Sequence, residues 1–375
     1  MSSDTTGLML VGIGGGGCRM VAAACRAHGE GVAAVGFDTD EVASRNTPGV
    51  KVHLIGATRL NKQGAGGVHS NGRLAAQDDL PGILAHLKDA RVVVVVACLG
   101  GGTGGGATPV ILQALRAEGK LTLCFVTTPF AFEGADRRQM AERDRPLLEQ
   151  HADTLVQIPL DELYAGQEQQ ALAEASREAD ARLASGLCLL WRLLLTPGYI
   201  SFDPARLQNM IDRAGLARFG VAAATGADRS ETVVAALTST PLLRKGAALS
   251  GARALALGIL AGADLRLAEI GTIMERIRAA CPKDVHIEMG VVLDACFDGR
   301  VELVALAFEQ WLPVERRAGM TTGGEYSVEP LAKERPRDSK LQVGSGKFRG
   351  VEKTVIKGED FDIPTYQRLH IRLER

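Results

Sequence analysis

From Val92 the chain runs through five consecutive valines into Ala-Cys-Leu-Gly-Gly-Gly-Thr-Gly-Gly-Gly-Ala-Thr-Pro, ending at Pro109, with six glycines set around Thr103. A segment so poor in side chains lets backbone N–H groups face an anion that Cβ atoms would hold away. The valines read as a buried strand and residues 107–117 as the helix that follows. That order puts Gly101, Gly102, Thr103, Gly104, Gly105 and Gly106 where a helix dipole favours negative charge. A simple linker calls for polar, proline-rich flanks, whereas both flanks here are apolar. A second cluster, Gly12 to Gly17, satisfies GxGxxG through Gly12, Gly14 and Gly17, and Asp38 lies near where a dinucleotide fold keeps its ribose-binding acid. Alone, that motif suggests NAD and an oxidoreductase. The richer second cradle favours a polyphosphate instead, since a triphosphate needs more than one. Neither loop carries a Walker lysine, so charge must be met by amides, dipoles and a metal ion.

Such loops work only if strand ends bring them together. Strands are expected over 8–13, 32–37, 52–55, 92–96, 121–126 and 154–158, with the 12–17 turn opening into a helix over 19–28. This alternation implies a mainly parallel sheet covered by helices, an α/β domain of Rossmann type over 1–170. A long Ala/Leu-rich run then reads as a central helix ending at Thr-Pro-Gly, 196–198, so that 171–203 holds the helix and the loop after it. A smaller α+β unit follows over 204–314, with a helix at 206–214 and strands at 252–259, 286–293 and 301–308. Residues 315–360 mix both charges with Gly, Ser and Pro, as a linker does, and 361–375 bring apolar residues back as a docking peptide.

Composition narrows the function classes. A net charge of −1 over 375 residues gives no sign of a nucleic-acid binder. Seven cysteines without CxxC or Cys/His clustering speak against a disulfide framework or a zinc site and suit a reducing cytoplasm. The apolar runs are too short to cross a bilayer and no export signal opens the chain, so a protein neither exported nor membrane-spanning is expected.

The ordered set of Gly12–Gly17, Phe-Asp-Thr-Asp at 37–40, Gly-Ala-Gly at 64–66, the 100–106 loop, Thr-Pro-Phe-Ala-Phe-Glu-Gly at 128–134 and Thr-Pro-Gly at 196–198 resembles FtsZ, the bacterial tubulin relative that polymerises in cell division. The likeness continues through Pro-Leu-Leu at 241–243, Ser-Gly-Ala-Arg at 250–253 and Asp-Leu-Arg-Leu at 264–267, about 300 residues in all. It implies the tubulin/FtsZ fold, GTP/GDP with Mg²⁺, and head-to-tail homopolymers. By resemblance, Gly14, Gly15, Gly16 and Gly17 and the 101–106 loop hold phosphates, while Asp40 with Gly64, Ala65 and Gly66 lies near the γ-phosphate and Mg²⁺. Pro129 belongs to the same site, and Glu133 and Arg137 flank the ribose; their four-residue spacing suits one helical face, as it also suits an ordinary surface ion pair. Asp180 falls where the family has a guanine-contacting Asn. A carboxylate can accept from guanine N1–H and N2–H, which favours GTP over ATP, and an exposed helical acid is the plain alternative.

The departures carry their own expectations. Ser176 stands where the family stacks an aromatic on the base, Arg19 where an Asn helps hold guanine, and Gly105 where the signature loop has Thr. After Thr-Pro-Gly the family pattern has Asn at 201 and acids at 203 and 206 that reach the next subunit's nucleotide; here they are Ser201, Asp203 and Arg206. A guanidinium does not act as a base at neutral pH, so Arg206 implies slow or absent hydrolysis, or a γ-phosphate contact of the arginine-finger kind. A non-hydrolysing GTP-binding scaffold is the alternative, and an NAD-dependent oxidoreductase a remote one. The terminal segment Asp362–Tyr366 resembles the family's tail peptide and implies a membrane-associated adaptor, with co-assembly with a more typical FtsZ left open.

Overall fold

Valines at five successive positions cannot keep one face in water, and in the computed structural model Val93, Val94, Val95 and Val96 are each no more than 2% exposed, at the centre of a ten-stranded sheet. The structure describes residues 7–28, 32–45, 47–165, 169–195, 200, 204–212, 214–311, 355–356 and 359–360. In chain order the strands are β1 (Leu8–Ile13), β2 (Ala34–Asp38), β3 (Lys51–Leu54), β4 (Val92–Cys98), β5 (Leu121–Thr128), β6 (Thr154–Pro159), β7 (Gly215–Thr225), β8 (Ala254–Ala261), β9 (His286–Leu293) and β10 (Arg300–Phe308). Their order across the sheet is β3-β2-β1-β4-β5-β6-β7-β10-β8-β9.

Every pair from β3 to β6 is parallel, as a βαβ succession requires, with register set by Gly12↔Val96 and Val95↔Cys124. The later unit is not a separate sheet. β7 joins β6 in parallel at Thr154↔Gly215, β10 runs antiparallel to both β7 and β8, and β9 closes the edge parallel to β8. β7 itself was not expected from the sequence, because Gly-Leu-Ala-Arg-Phe-Gly-Val-Ala-Ala-Ala-Thr is poor in β-branched residues; its pairing on both sides overrides weak local preference.

Helices cover both faces. On one, the helix Gly14–His28 and the central helix Leu172–Leu195 pack together and bury Met20, Val21, Leu183, Leu187 and Trp191. On the other, the helices His69–Asp78 and Gly102–Ala117 bury Ala75, Ala76, Ile111 and Leu112 against β4 and β5. Strand order turns at β1 and β4: the chain moves outward to β2 and β3 on one side, then outward to β5 and β6 on the other. The carboxyl ends of β1 and β4 therefore splay their following helices apart and open a crevice.

Of the expected linker at 315–360 and terminal peptide at 361–375, most residues lie outside those described. Val355–Ile356 and Glu359–Asp360 pair as a short antiparallel ladder of their own. The Thr-Pro-Gly segment at 196–198 and Asp203 also lie outside the described residues, as does the Ser176 side chain.

Candidate functional site

The crevice holds an open cavity of about 460 Å³, lined by Gly14, Gly15 and Gly16 on one side and Gly101, Gly102, Thr103 and Gly104 on the other. The sequence places turns here and starts the helices at 19 and 107. In the structure the helices begin at Gly14 and Gly102, so the glycines form first turns whose N–H groups run toward the cavity. Packing explains why glycine is tolerated and needed inside helices. A Cβ on Gly17 would lie 2.3 Å from the Val96 carbonyl oxygen, one on Gly104 2.2 Å from that of Cys98, and one on Gly106 2.2 Å from that of His69. A Cβ on Gly101 would meet nothing within 4 Å, and Gly14 sits at φ +72°, where a side chain is strained. The glycines thus divide between those that let helix and strand touch and those that leave the cavity bare.

Thr103 is tied down from behind. Its Oγ1 lies 2.7 Å from Thr39 Oγ1, and its hydroxyl also bonds the Asp38 carboxylate, which accepts from the Thr39 N–H at 2.8 Å. Asp38 is 3% exposed and burial pushes its carboxyl up, so it is not available to hold a ribose, and the dinucleotide alternative loses its acid. Asp40 Oδ1 caps the next helix, accepting from the N–H of Val42 at 2.8 Å and of Ala43 at 3.2 Å. A bridge between Asp40 and Gln63 and a bond from Gly64 N–H to the Thr39 carbonyl at 3.1 Å bring the 64–66 loop beside it. Gly64 and Gly66 have positive φ, and a Cβ on Gly66 would meet nothing within 4 Å.

Pro129, Glu133 and Arg137 line the cavity where expected. Glu133 is committed on both oxygens, pairing with Arg137 Nη1 and accepting from the Phe130 N–H at 2.9 Å. Two residues missed in the sequence line the same wall: Phe130 stacks on Phe132 at 4.7 Å and meets Tyr164 edge-on at 4.7 Å. Asp180 approaches the site through Arg19, whose Nε lies 3.0 Å from Asp180 Oδ2; Arg19 lines the cavity, and Asp180 stands behind it. Burial raises the Asp180 carboxyl and the Arg19 charge draws it back.

Arg206 lies on the helix Pro204–Ile211, exposed, with Nη1 3.3 Å from Glu288 Oε1 on β9; that oxygen also lies 3.0 Å from His286 Nε2. Its helix belongs to the opposite end of the sheet. Gln208 helps line a second cavity with Arg91, Val92, Lys120 and Leu121 at the amino ends of β4 and β5. The glycine cavity lies at their carboxyl ends, with Cys98 and Thr127. Seven residues of β4 separate the two, about 23 Å at 3.3 Å per residue.

A doubly wound sheet with two glycine-opened helices facing one crevice, extended by a mixed four-stranded half, defines a protein of the tubulin/FtsZ class. Residues 7–167 match the model of the Tubulin/FtsZ family, GTPase domain, and residues 215–309 that of the FtsZ family, C-terminal domain. Cell division protein FtsZ of Bartonella bacilliformis is 34% identical over 306 residues, 81% of this chain and 52% of that protein, so the chain spans about half that relative's length. Cell division protein FtsZ 2 of Rhizobium meliloti (strain 1021) is 32% identical over 305 residues, 80% of this chain and 88% of that protein. Among solved structures, an empty FtsZ dimer from M. jannaschii superimposes with a TM-score of 0.75 at 28% identity, covering 80% of this chain and 88% of that one. The chain belongs to the FtsZ family. Among the described residues no helix is long and apolar enough to cross a membrane.

Proposed function

We propose that this chain binds GTP in the glycine-lined cavity, assembles head to tail into cytoplasmic filaments in bacterial cell division or a related organising role, and hydrolyses GTP slowly. The observation that carries the reading is the separation of the two ends of β4 and β5. A group on the 204–211 helix stands about a strand's length from its own chain's cavity and meets a nucleotide only in a second copy stacked along the strand axis. The M. jannaschii relative, solved as a dimer, supports self-association.

Amides of the first turns meet phosphate charge, and Arg19 and Arg137 are the cations at the cavity. Mg²⁺ fits as a phosphate-bound ion. No group of three His, Cys, Asp or Glu lies together among the described residues, and Asp40 beside Gly64 offers one carboxylate, which suits an ion that keeps its waters and phosphate ligands. Bound there, it neutralises phosphate charge.

Slow turnover follows from Arg206. Its guanidinium pairs with Glu288, and a guanidinium offers donors only, so it presents neither a base for water nor an acid to the next subunit. The alternative, a scaffold that never hydrolyses, draws on the same pair. Phosphate release measured on protein seen as filaments by electron microscopy, with and without GTP, tests both. Slow release with filaments supports the main reading, none the scaffold, and a lack of GTP-dependent filaments ends both. Arg206→Asp is expected to speed release in a variant that still assembles. The terminal segment 361–375 is proposed as the adaptor-docking peptide, and its deletion should leave GTP binding and assembly intact.

A further inference from the structure

Directly behind the first turn of the helix Gly102–Ala117, the turn that lines the glycine cavity, sits a carboxyl group for whose charge the fold makes almost no provision. Asp144, on the helix Ala135–His151, is 5% exposed. Its Oδ1 lies 3.0 Å from His69 Nδ1, whereas Asp144 Oδ2 and His69 Nε2 are both buried with no hydrogen-bond partner among the described residues. Both unpartnered atoms crowd Gly105, where a Cβ would lie 2.3 Å from Asp144 Oδ2 and 2.7 Å from His69 Nε2. A buried carboxylate keeps its charge by accepting several hydrogen bonds or by meeting a cation. Asp144 has one imidazole. A turn away on its own helix stand Met140, Ala141, Leu147 and Leu148, and the facing turns from 102 to 109 hold nothing ionisable. A turn from His69 the helix His69–Asp78 offers Arg73, which is exposed. Burial accordingly pushes the Asp144 carboxyl up to about 7 and the His69 imidazole down.

Resting on the guanine-nucleotide reading of the cavity, we propose that Asp144 and His69 form one proton-binding site beneath the phosphate cradle, filled as nucleotide binds, so that GTP and GDP are held more tightly in its protonated state. The argument does not depend on which atom carries the proton. Without it the two groups are an ionised carboxylate and a neutral imidazole, with net charge −1; with it they are an acid and an imidazole, or a carboxylate and an imidazolium, with net charge zero. Only the first form opposes the phosphates. Thr103 and Gly104 line the cavity on the front of the turn, and Gly105 receives the carboxyl behind it. A helix diameter with a contact on either side makes the separation about 10 Å. At about 10 Å and an effective dielectric of about 20, one unit charge changes the affinity of a singly charged phosphate about tenfold. By reciprocity, bound nucleotide raises the affinity of the site for its proton by the same factor, and binding near neutral pH takes up part of a proton. Glycine at 105 is what admits the carboxyl to this position, since any side chain there meets it.

The test is GDP binding to the full chain and to Asp144→Asn between pH 6 and 9, by calorimetry in two buffers of different ionisation enthalpy, which counts the protons exchanged. GDP is the probe because no hydrolysis follows its binding, and the variant subtracts the titration of the nucleotide itself. From pH 6 to 9 the wild-type affinity is expected to fall about five- to tenfold more than that of Asp144→Asn, with an excess uptake of about half a proton at its maximum. Equal pH slopes and equal proton counts in the two proteins overturn the proposal while leaving nucleotide binding standing, and a uniform loss of affinity in the variant with an unchanged slope overturns it in favour of packing alone. Should Asp144→Asn fail to fold, the His69 ring resonance of wild type, identified by its absence in His69→Gln, decides the matter: its titration midpoint should rise by about one pH unit when GDP is added, and an unmoved midpoint overturns the proposal. Failure of wild type to bind GDP at any pH removes the cavity reading and the proposal together.

Discussion

Replacing Gly105 with alanine puts a methyl group into the most crowded polar contact beneath the glycine cavity. The added Cβ would lie 2.3 Å from Asp144 Oδ2, 2.6 Å from His69 Cε1 and 2.7 Å from His69 Nε2, so something must move. His69 Nδ1 and Asp144 Oδ1 are 3.0 Å apart, and the Asp144 side chain is 8% exposed. Overpacking costs about 1–3 kcal/mol, and separating the buried pair adds about 1–3 kcal/mol. Alanine in place of glycine in a helix returns about 1 kcal/mol. Gly105→Ala is therefore expected to lose about 1–5 kcal/mol of unfolding free energy. Asp144→Ala breaks the same His69 contact without the crowding and is expected to lose about 1–3 kcal/mol. In the double variant the new methyl takes the vacated space and the crowding is relieved, so the loss should be no larger than that of Asp144→Ala alone. Urea denaturation of the four proteins closes the cycle, with an expected coupling of about 2–3 kcal/mol. Additivity within about 0.5 kcal/mol refutes the packing argument, because it means the methyl and the carboxylate never competed.

Three other outcomes follow from the same geometry. Gly101→Ala, whose Cβ meets no protein atom within 4 Å, should melt like wild type yet bind GTP at least about tenfold more weakly, whereas Gly104→Ala, 2.2 Å from the Cys98 carbonyl oxygen, should fail to fold; calorimetry and binding on both separate the two kinds of glycine. Arg229 is 5% exposed and pairs with Asp264 at 2.6 Å and Glu269 at 2.7 Å, so Arg229→Ala should cost about 3–5 kcal/mol in urea denaturation by stranding Glu269. For Asp144, a folded-state value of about 7 against about 3.9 in an unfolded chain means that folding takes up a proton between them, so its contribution to stability falls as pH rises through that window. The stability of Asp144→Asn relative to wild type should accordingly grow between pH 5 and 8, and a constant difference would contradict the assignment.

The parallel half of the fold was legible because its strands carry unbroken apolar runs that only burial on two faces explains, and β1 begins and ends where its pattern does. β7 was not, since an Ala-rich strand declares itself only through neighbours that come from elsewhere in the chain. The same limit applies to the site. Glycine spacing located the cavity, but it did not reveal that Gly17, Gly104 and Gly106 answer to backbone atoms of β4 or of the helix His69–Asp78. Asp38 resembled a ribose acid by position alone, and its partners, Thr39 beside it and Thr103 in the first turn of the helix Gly102–Ala117, are 64 positions apart. Tyr164 gave no signal at all, because an aromatic after β6 is as ordinary in sequence as it is consequential beside Phe130.

Two departures that appear as isolated losses in the sequence become joint changes in space. Gly105 faces Asp144 and His69, and any side chain at 105 would occupy the Asp144 carboxylate's position; the bare backbone and the buried His–Asp contact are one packing solution. Arg19 and Asp180 are 161 positions apart and meet at 3.0 Å on neighbouring helices. The two contacts differ in kind: the Arg19 charge draws the half-buried Asp180 carboxyl back toward ionisation, whereas burial pushes the Asp144 carboxyl up and the His69 imidazole down, so that contact joins groups that burial holds toward neutrality. Arg206 is likewise answered, by Glu288 at the far end of the sheet, 3.3 Å away.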